Sequence, residues 1–332
     1  MRSFADTLFG YRPAVPPPDD QVVLVTGASS GLGLVVAQQF AGRGAHLVLV
    51  ARGSTALQEA AFRCADAGAA STQVLPADVR EDEQVAQVVR DAMERHGRID
   101  VVVNAAGVIA IGQMEDVPVE VYDGVIRTNL LGSANVARAA LPVMREQGAG
   151  TLVLVGSLLG HITAPLISSY VVSKWGVRGL ARQLRTELRG SGVRVGYVAP
   201  GALDTPIYNQ AANYLGLGLR PPPPVSPPER MAQRIVDIAD GRILRVDLGL
   251  GYRAVNQAMQ LGFHAIPDPI YDAIVPKVLA LVGLEQQEEP EPEPGNVFTP
   301  QQLRPNEHGG AGSAVLAAAR NLVTIGRRSA SG

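Results

Sequence analysis

The sequence predicts an α/β fold, a doubly wound parallel sheet of about seven strands flanked by helices, with a helical C-terminal extension. Three observations predict it. Short valine-rich runs alternate with helix-length segments from residue 22 to residue 247, the pattern of parallel strands joined by right-handed crossovers. The first run, Val22-Val23-Leu24-Val25, is apolar throughout, as in a strand covered on both faces. A glycine-rich turn then separates that run from the first helical segment.

The turn reads Thr26-Gly27-Ala28-Ser29-Ser30-Gly31-Leu32-Gly33, and a helix over residues 34–41 ends at Gly42. Strand, glycine turn and helix make a phosphate site. The glycines let the backbone come close, and the helix start offers unpaired N–H groups to a pyrophosphate. The spacing is GxxxGxG rather than the common GxGxxG. The second strand, residues 46–50, ends at Ala51-Arg52. An acidic side chain there would take the ribose 2′-hydroxyl of NAD, whereas an arginine suits a 2′-phosphate. Arg52 therefore points to NADP(H) over NAD(H), with Ser30 and Ser54 as further hydroxyl contacts to the same phosphate.

The alternation continues with a strand over residues 72–75, Asp78-Val79 just past its end, a helix over 81–96 and a strand over 99–103. Asn104-Ala105-Ala106-Gly107 forms the next turn. A long helical segment over 118–146 contains Asn129, and Pro142 should kink or break it. A strand over 151–155 leads to Gly156-Ser157, a helix over 169–189 follows, and a strand over 193–198 is closed by Pro200-Gly201. In doubly wound sheets ligands sit beyond the carboxyl ends of the strands, where these polar residues fall.

Tyr170 and Lys174 carry the chemistry. Four residues apart on a helix, they share a face, about 6 Å apart along the axis and about 40° apart around it. A phenol is a poor proton carrier at neutral pH. A neighbouring cation lowers its pKa and makes it a usable general acid or base. YxxxK alone occurs by chance on many helices; its weight comes from the motifs upstream.

Together these motifs resemble the classical short-chain dehydrogenase/reductase family over about residues 21–250. The resemblance implies a Rossmann-like domain, with Gly27, Ser29, Ser30, Gly31, Leu32 and Gly33 as the cofactor loop. It implies Asp78 and Val79 at the adenine. Asn104-Ala105-Ala106-Gly107 is similar to the family's NNAG turn, with Ala105 replacing the second asparagine. Asn129, Ser157, Tyr170 and Lys174 match its catalytic tetrad. Tyr170 would move the proton, Ser157 would bond the reacting oxygen, Lys174 would lower the Tyr pKa and hold the nicotinamide ribose, and Asn129 would hold a relay water. Pro200-Gly201 would border the nicotinamide, and Thr205 would meet its amide. The basic residue at 52 matches the NADP-preferring subgroup, and a homo-oligomer paired through the long helices is the family expectation.

Composition agrees. Lys and Arg number 29 against 31 Asp and Glu, and no basic patch suggests nucleic acid. Cys64 is the only cysteine; it rules out an intrachain disulfide and a cysteine metal cluster, fits a reducing compartment and should pack on the helix after Arg52. No metal site is expected. No apolar run approaches the ~20 residues that span a bilayer, and the N-terminus shows no cleavable signal, so a cytoplasmic protein is expected. Residues 1–20 read as a proline-rich tail, 21–250 as the catalytic domain, 251–285 as a helical extension, 286–311 as a Pro/Glu/Gly-rich linker, disordered over 286–294, and 312–332 as an amphipathic helix and tail. Residues 202–228 read as an apolar substrate loop. Residues 228–239 read as a helix and 242–247 as the seventh strand. The extension has three readings: a flap, a partner or membrane face, or helices packed on the core; the terminal helix could dock on its own fold, a neighbour or anionic lipid. The expected activity is NADP(H)-dependent interconversion of an apolar secondary alcohol and a ketone or aldehyde. A lipid-directed ketoreductase or hydroxysteroid-type dehydrogenase is the alternative within enzymes, and a non-catalytic NADPH-binding scaffold the alternative outside them.

Overall fold

The computed structural model describes residues 17–216, 218–219, 221–222, 225–242, 269–270, 284–285 and 292–301. Apart from Arg242, the expected seventh strand over 242–247 lies outside the described residues, as do nearly all of the extension over 251–285 and the terminal helix over 312–332.

The strands are β1 (Val22–Thr26), β2 (His46–Ala51), β3 (Ser71–Pro76), β4 (Val101–Asn104), β5 (Ala110–Ile111), β6 (Gly150–Val155), β7 (Val193–Val198), β8 (Ala212–Asn213), β9 (Gly218–Leu219) and β10 (Leu284–Glu285), the last two paired antiparallel. Among the described residues, six of them form one parallel sheet in the order β3-β2-β1-β4-β6-β7; β5 pairs with β8 apart from it. The helices are α1 (Gly31–Ala41), α2 (Ser54–Asp66), α3 (Asp82–His96), α4 (Val119–Ile126), α5 (Gly132–Gln147), α6 (Ser168–Glu187) and α7 (Pro228–Ala239).

Side chains alternate along each strand, so neighbouring residues feed opposite cores. Val22 and Leu24 pack with Val85, Val88, Val136, Ala140, Val177 and Ala181 of α3, α5 and α6. Val23 and Val25 pack with Val36, Phe40, Leu57, Cys64, Met231 and Ile235 of α1, α2 and α7. Burial on both faces is why the strands are apolar without alternation. Cys64 sits inside this second core, on the helix after Arg52, as expected.

The register positions the site. Leu75, Val50, Thr26, Asn104, Leu154 and Tyr197 form one row across the sheet. Every strand thus ends at the same level, and the loops bearing Asp78, Arg52, Gly27, Ala105, Ser157 and Pro200 leave from one edge.

Two expectations are corrected. The helical run after Pro118 does not break at Pro142; α5 continues through it to Gln147. The irregularity comes earlier, where α4 passes into α5 through a π turn, Arg127–Leu131, that carries Asn129. Residues 292–301, inside the expected linker, pack against the domain instead of standing free of it.

Candidate active site

The phosphate turn is tightly built. Gly27 has φ +66°, and a Cβ there would come within 2.8 Å of the Ala106 backbone nitrogen. Turn and Asn104–Gly107 loop are therefore packed backbone to backbone, which only glycine allows. Ser30 caps α1 in extended conformation without a side-chain cap bond. Gly31 opens α1 opposite Thr205, which is buried. The Asn104–Gly107 main chain backs the turn at Gly27, the Thr205 and Pro206 side chains stand opposite Gly31, and the glycines and helix start of residues 27–33 suit a pyrophosphate.

Just past β3, Asp78 Oδ2 accepts from Arg80 Nη2 at 2.6 Å and Nε at 2.9 Å. Burial works to raise the Asp78 pKa, but the Arg80 bonds and the charges of Arg80 and Arg52 together hold it below the usual carboxylate value. Val79 is buried, and its carbonyl accepts from Asn135 Nδ2 at 3.0 Å. Arg52 donates to main-chain carbonyls of the 292–301 segment. Burial lowers its pKa, with Asp78 opposing and Arg80 adding to the effect.

At the reacting end, Ser157 caps a short 3₁₀ turn, its Oγ accepting from Leu159 N at 3.1 Å. Tyr170, Ser173 and Lys174 lie on the first turns of α6, all buried. Lys174 Nζ donates to Val155 O at 3.0 Å and lies 5.5 Å from the centre of the Tyr170 ring. Burial lowers the Lys174 pKa from 10.5 to about 8. Burial raises that of Tyr170 from 10.0 to about 12, against a hydrogen bond from Ser157 that lowers it. Desolvation is the larger of the two effects, so in the chain by itself burial works against the lowering that the sequence suggests for this phenol. Gly107 keeps the space above Lys174 open; a Cβ there would lie 3.3 Å from Asn129 Oδ1 and 3.6 Å from Lys174 Nζ. Pro200 O accepts from Leu158 N at 2.7 Å, which ties the Pro200-Gly201 corner to the Ser157 turn.

The sequence reading missed the polar chain beneath the site. Thr26 Oγ1 donates to Asn104 Oδ1 (2.6 Å), and Asn104 Nδ2 to Ser133 Oγ (2.7 Å). Ser133 Oγ donates to Asn129 O (2.6 Å), Asn129 Nδ2 to Ser173 Oγ (3.0 Å), and Ser173 Oγ to Tyr170 O (2.7 Å). Asn129 also exchanges two 2.9 Å bonds with the Val108 main chain. Its side chain is thus occupied by protein partners and positions the turn. The available signal was Ser133, four residues after Asn129 on a helix.

An apolar wall of Ile109, Ile111 and Ala211, with Leu159, Ile167 and Ile207, packs around Tyr170. Tyr208 adds a second phenol, whose pKa is pushed up by burial and then by nearby Tyr170. Leu166, at the edge of this wall, has φ +67°, a strained value for a branched residue. Among the described residues there is no cluster of metal ligands and no helix long and apolar enough to cross a membrane.

A family model described as short chain dehydrogenase matches residues 21–214. The D-beta-hydroxybutyrate dehydrogenase of Rhizobium meliloti is 34% identical over 194 residues, covering 56% of this chain and 73% of that protein. The actinorhodin polyketide ketoreductase, solved with NADPH, superposes with a TM-score of 0.64 at 26% identity, covering 70% of this chain and 97% of the other. A short-chain dehydrogenase from Mycobacterium paratuberculosis, bound to NAD, gives 0.62 at 26% identity, covering 70% and 98%.

Proposed function

This chain belongs to the short-chain dehydrogenase family of oxidoreductases, and on that premise we propose that it interconverts an apolar secondary alcohol and its ketone, or an aldehyde, with NADP(H) preferred over NAD(H). The observation that carries the reading is the convergence of Ser157, Tyr170 and Lys174, all buried, within an apolar wall at the carboxyl edge of the sheet.

The bound dinucleotide supplies or accepts the hydride. Tyr170 holds the proton and passes it to the substrate oxygen. The raised phenol pKa supports this role in reduction, because the donor starts loaded. Ser157 donates to the same oxygen as negative charge grows there. Lys174, lowered to about 8, exchanges a proton close to neutral pH, and its charged form favours phenolate. Asn129 fixes the main chain beneath both groups. Ile109, Ile111, Ile207 and Ala211 exclude water and favour an apolar substrate. That wall also supports the narrower reading of a lipid-directed ketoreductase. Arg52, with no acid at its strand end, supports NADP(H). Exposed Leu131 and Val172 support pairing of copies through these helices.

The test is NADPH oxidation with a panel of ketones and aldehydes graded by chain length, using the parent and Tyr170→Phe. Turnover that rises with apolar bulk and disappears in the variant is expected. Tight NADPH binding without reduction of any carbonyl, and no effect of Tyr170→Phe, would make the chain a binding protein instead.

A further inference from the structure

Residues 292–301 return to the adenosine end of the cleft. Asn213 and Glu293 exchange main-chain bonds at 2.9 and 3.2 Å, and Asn296 N donates to Gln210 O at 2.9 Å. Val297 is fully buried among Val108, Val121, Val125 and Ala212. Gly124 of α4 makes room for it; a Cβ there would collide with Val297 Cγ1. Pro300 lies over Gly53, next to Arg52.

The segment presents three consecutive carbonyls to one guanidinium. Arg52 Nη2 donates to Asn296 O at 2.5 Å, and Nη1 to Val297 O and Phe298 O at 3.1 Å each. Arg80 adds longer contacts to the same two carbonyls, at 3.5 and 3.4 Å. Arginine's planar fork binds phosphate through these same terminal donors. A 2′-phosphate on Arg52 and the carbonyls of residues 296–298 therefore compete, whereas a 2′-hydroxyl needs no guanidinium.

We infer that residues 292–301 form a specificity-determining strap that competes with the 2′-phosphate of NADP(H) for Arg52 and Arg80. This rests on the reading of Arg52 as the phosphate's partner. When a binding-competent state is only partly populated, the apparent dissociation constant rises in inverse proportion to that fraction. The docked strap thus weakens NADPH and spares NADH.

The test is titration of the full chain with NADPH and with NADH, in the parent, Val297→Asp and Gly124→Ala. Val297→Asp puts a charge in the strap's apolar seat. Gly124→Ala obstructs the seat from the opposite side with a good helix former, and decides the matter if the first variant does not fold. Both should tighten NADPH by about fivefold or more while moving NADH less than about twofold. Hydrogen exchange of the amides of Glu293 and of residues 295–299 in the parent should speed up on saturation with NADPH and not with NADH. An unchanged NADPH-to-NADH ratio in the folded variants, or unchanged or slower exchange with NADPH, overturns the strap. Arg52→Asp separates the two ideas. If it weakens NADPH selectively and the strap variants do nothing, only the strap fails. If it weakens both dinucleotides alike, the phosphate reading fails and the strap with it.

Discussion

The two ends of the cleft hold their charged groups in opposite ways. At the reacting end, Tyr170 and Lys174 are buried among apolar side chains, and desolvation drives both toward neutrality, to about 12 and about 8. Past the ends of β2 and β3, the partly buried Asp78 is held below the usual carboxylate value by Arg80 and Arg52, and main-chain carbonyls meet the Arg52 guanidinium. On the proposed function, burial sets proton state where a proton would move, and pairing fixes charge where a charge would be recognised.

The sharpest way to break that division is Tyr170→Phe. Removing a general acid costs about 10²- to 10⁴-fold in rate, so kcat should fall by that factor while the NADPH dissociation constant stays within about twofold. A comparable loss of binding would mean that the reacting end also selects the dinucleotide. Next in size is Arg52→Asp. A hydrogen bond to a charged group contributes about 1.5–3 kcal/mol, so NADPH affinity should fall by about 10- to 100-fold, NADH affinity much less, and kcat at saturation little. Parallel titrations and saturated rates check both halves.

The division was only half legible in the sequence. Strand periodicity located all six strands of the parallel sheet, because continuous apolar runs have few alternatives there, and helical spacing located Pro228–Ala239; the two-residue strands β5 and β8 were too short to show a pattern. The placement of Tyr170 and Lys174 on one helix face, and of Ser157 just past a strand end, was legible because spacing and strand ends fix where a side chain emerges. The pKa balance was not. It depends on how far Ile109, Ile111 and Ile207 desolvate the phenol, and that follows from tertiary packing. Nor could periodicity show that Pro142 sits where α5 tolerates it, or that the irregular turn is at Asn129. The strap was hidden because Glu/Pro composition next to it signals a chain unable to build a core, whereas one valine and three backbone carbonyls suffice to dock it.

A third test uses pH. Lys174 titrates at about 8 when folded and 10.5 ordinarily. Between those values the unfolded chain binds more protons than the folded one, so this group makes stability rise with pH across that window. Tyr170, raised from 10.0 to about 12, acts in the opposite direction only above pH 10. Lys174→Met should therefore gain stability relative to the parent near neutral pH and lose the advantage by pH 10, a change on the order of 1–3 kcal/mol. Thermal melts across that range check it. A constant offset would show that the ammonium is not desolvated and that the two ends are alike.

The smallest effect asks whether the ends are joined. The buried polar chain from Thr26 through Asn104, Ser133, Asn129 and Ser173 reaches the main chain of Tyr170. Ser133→Ala leaves Asn104 Nδ2 without its acceptor, and a buried unsatisfied donor costs about 1–3 kcal/mol. Denaturant unfolding should show that loss. If the chain only supports the loops, kcat and the NADPH-to-NADH ratio will each stay within about threefold of the parent, and the loss will add to that of Arg52→Asp, as for independent sites. A non-additive pair, or a rate and a selectivity that fall together, would make the polar chain a mechanical link. Selection at one end would then be felt as proton position at the other.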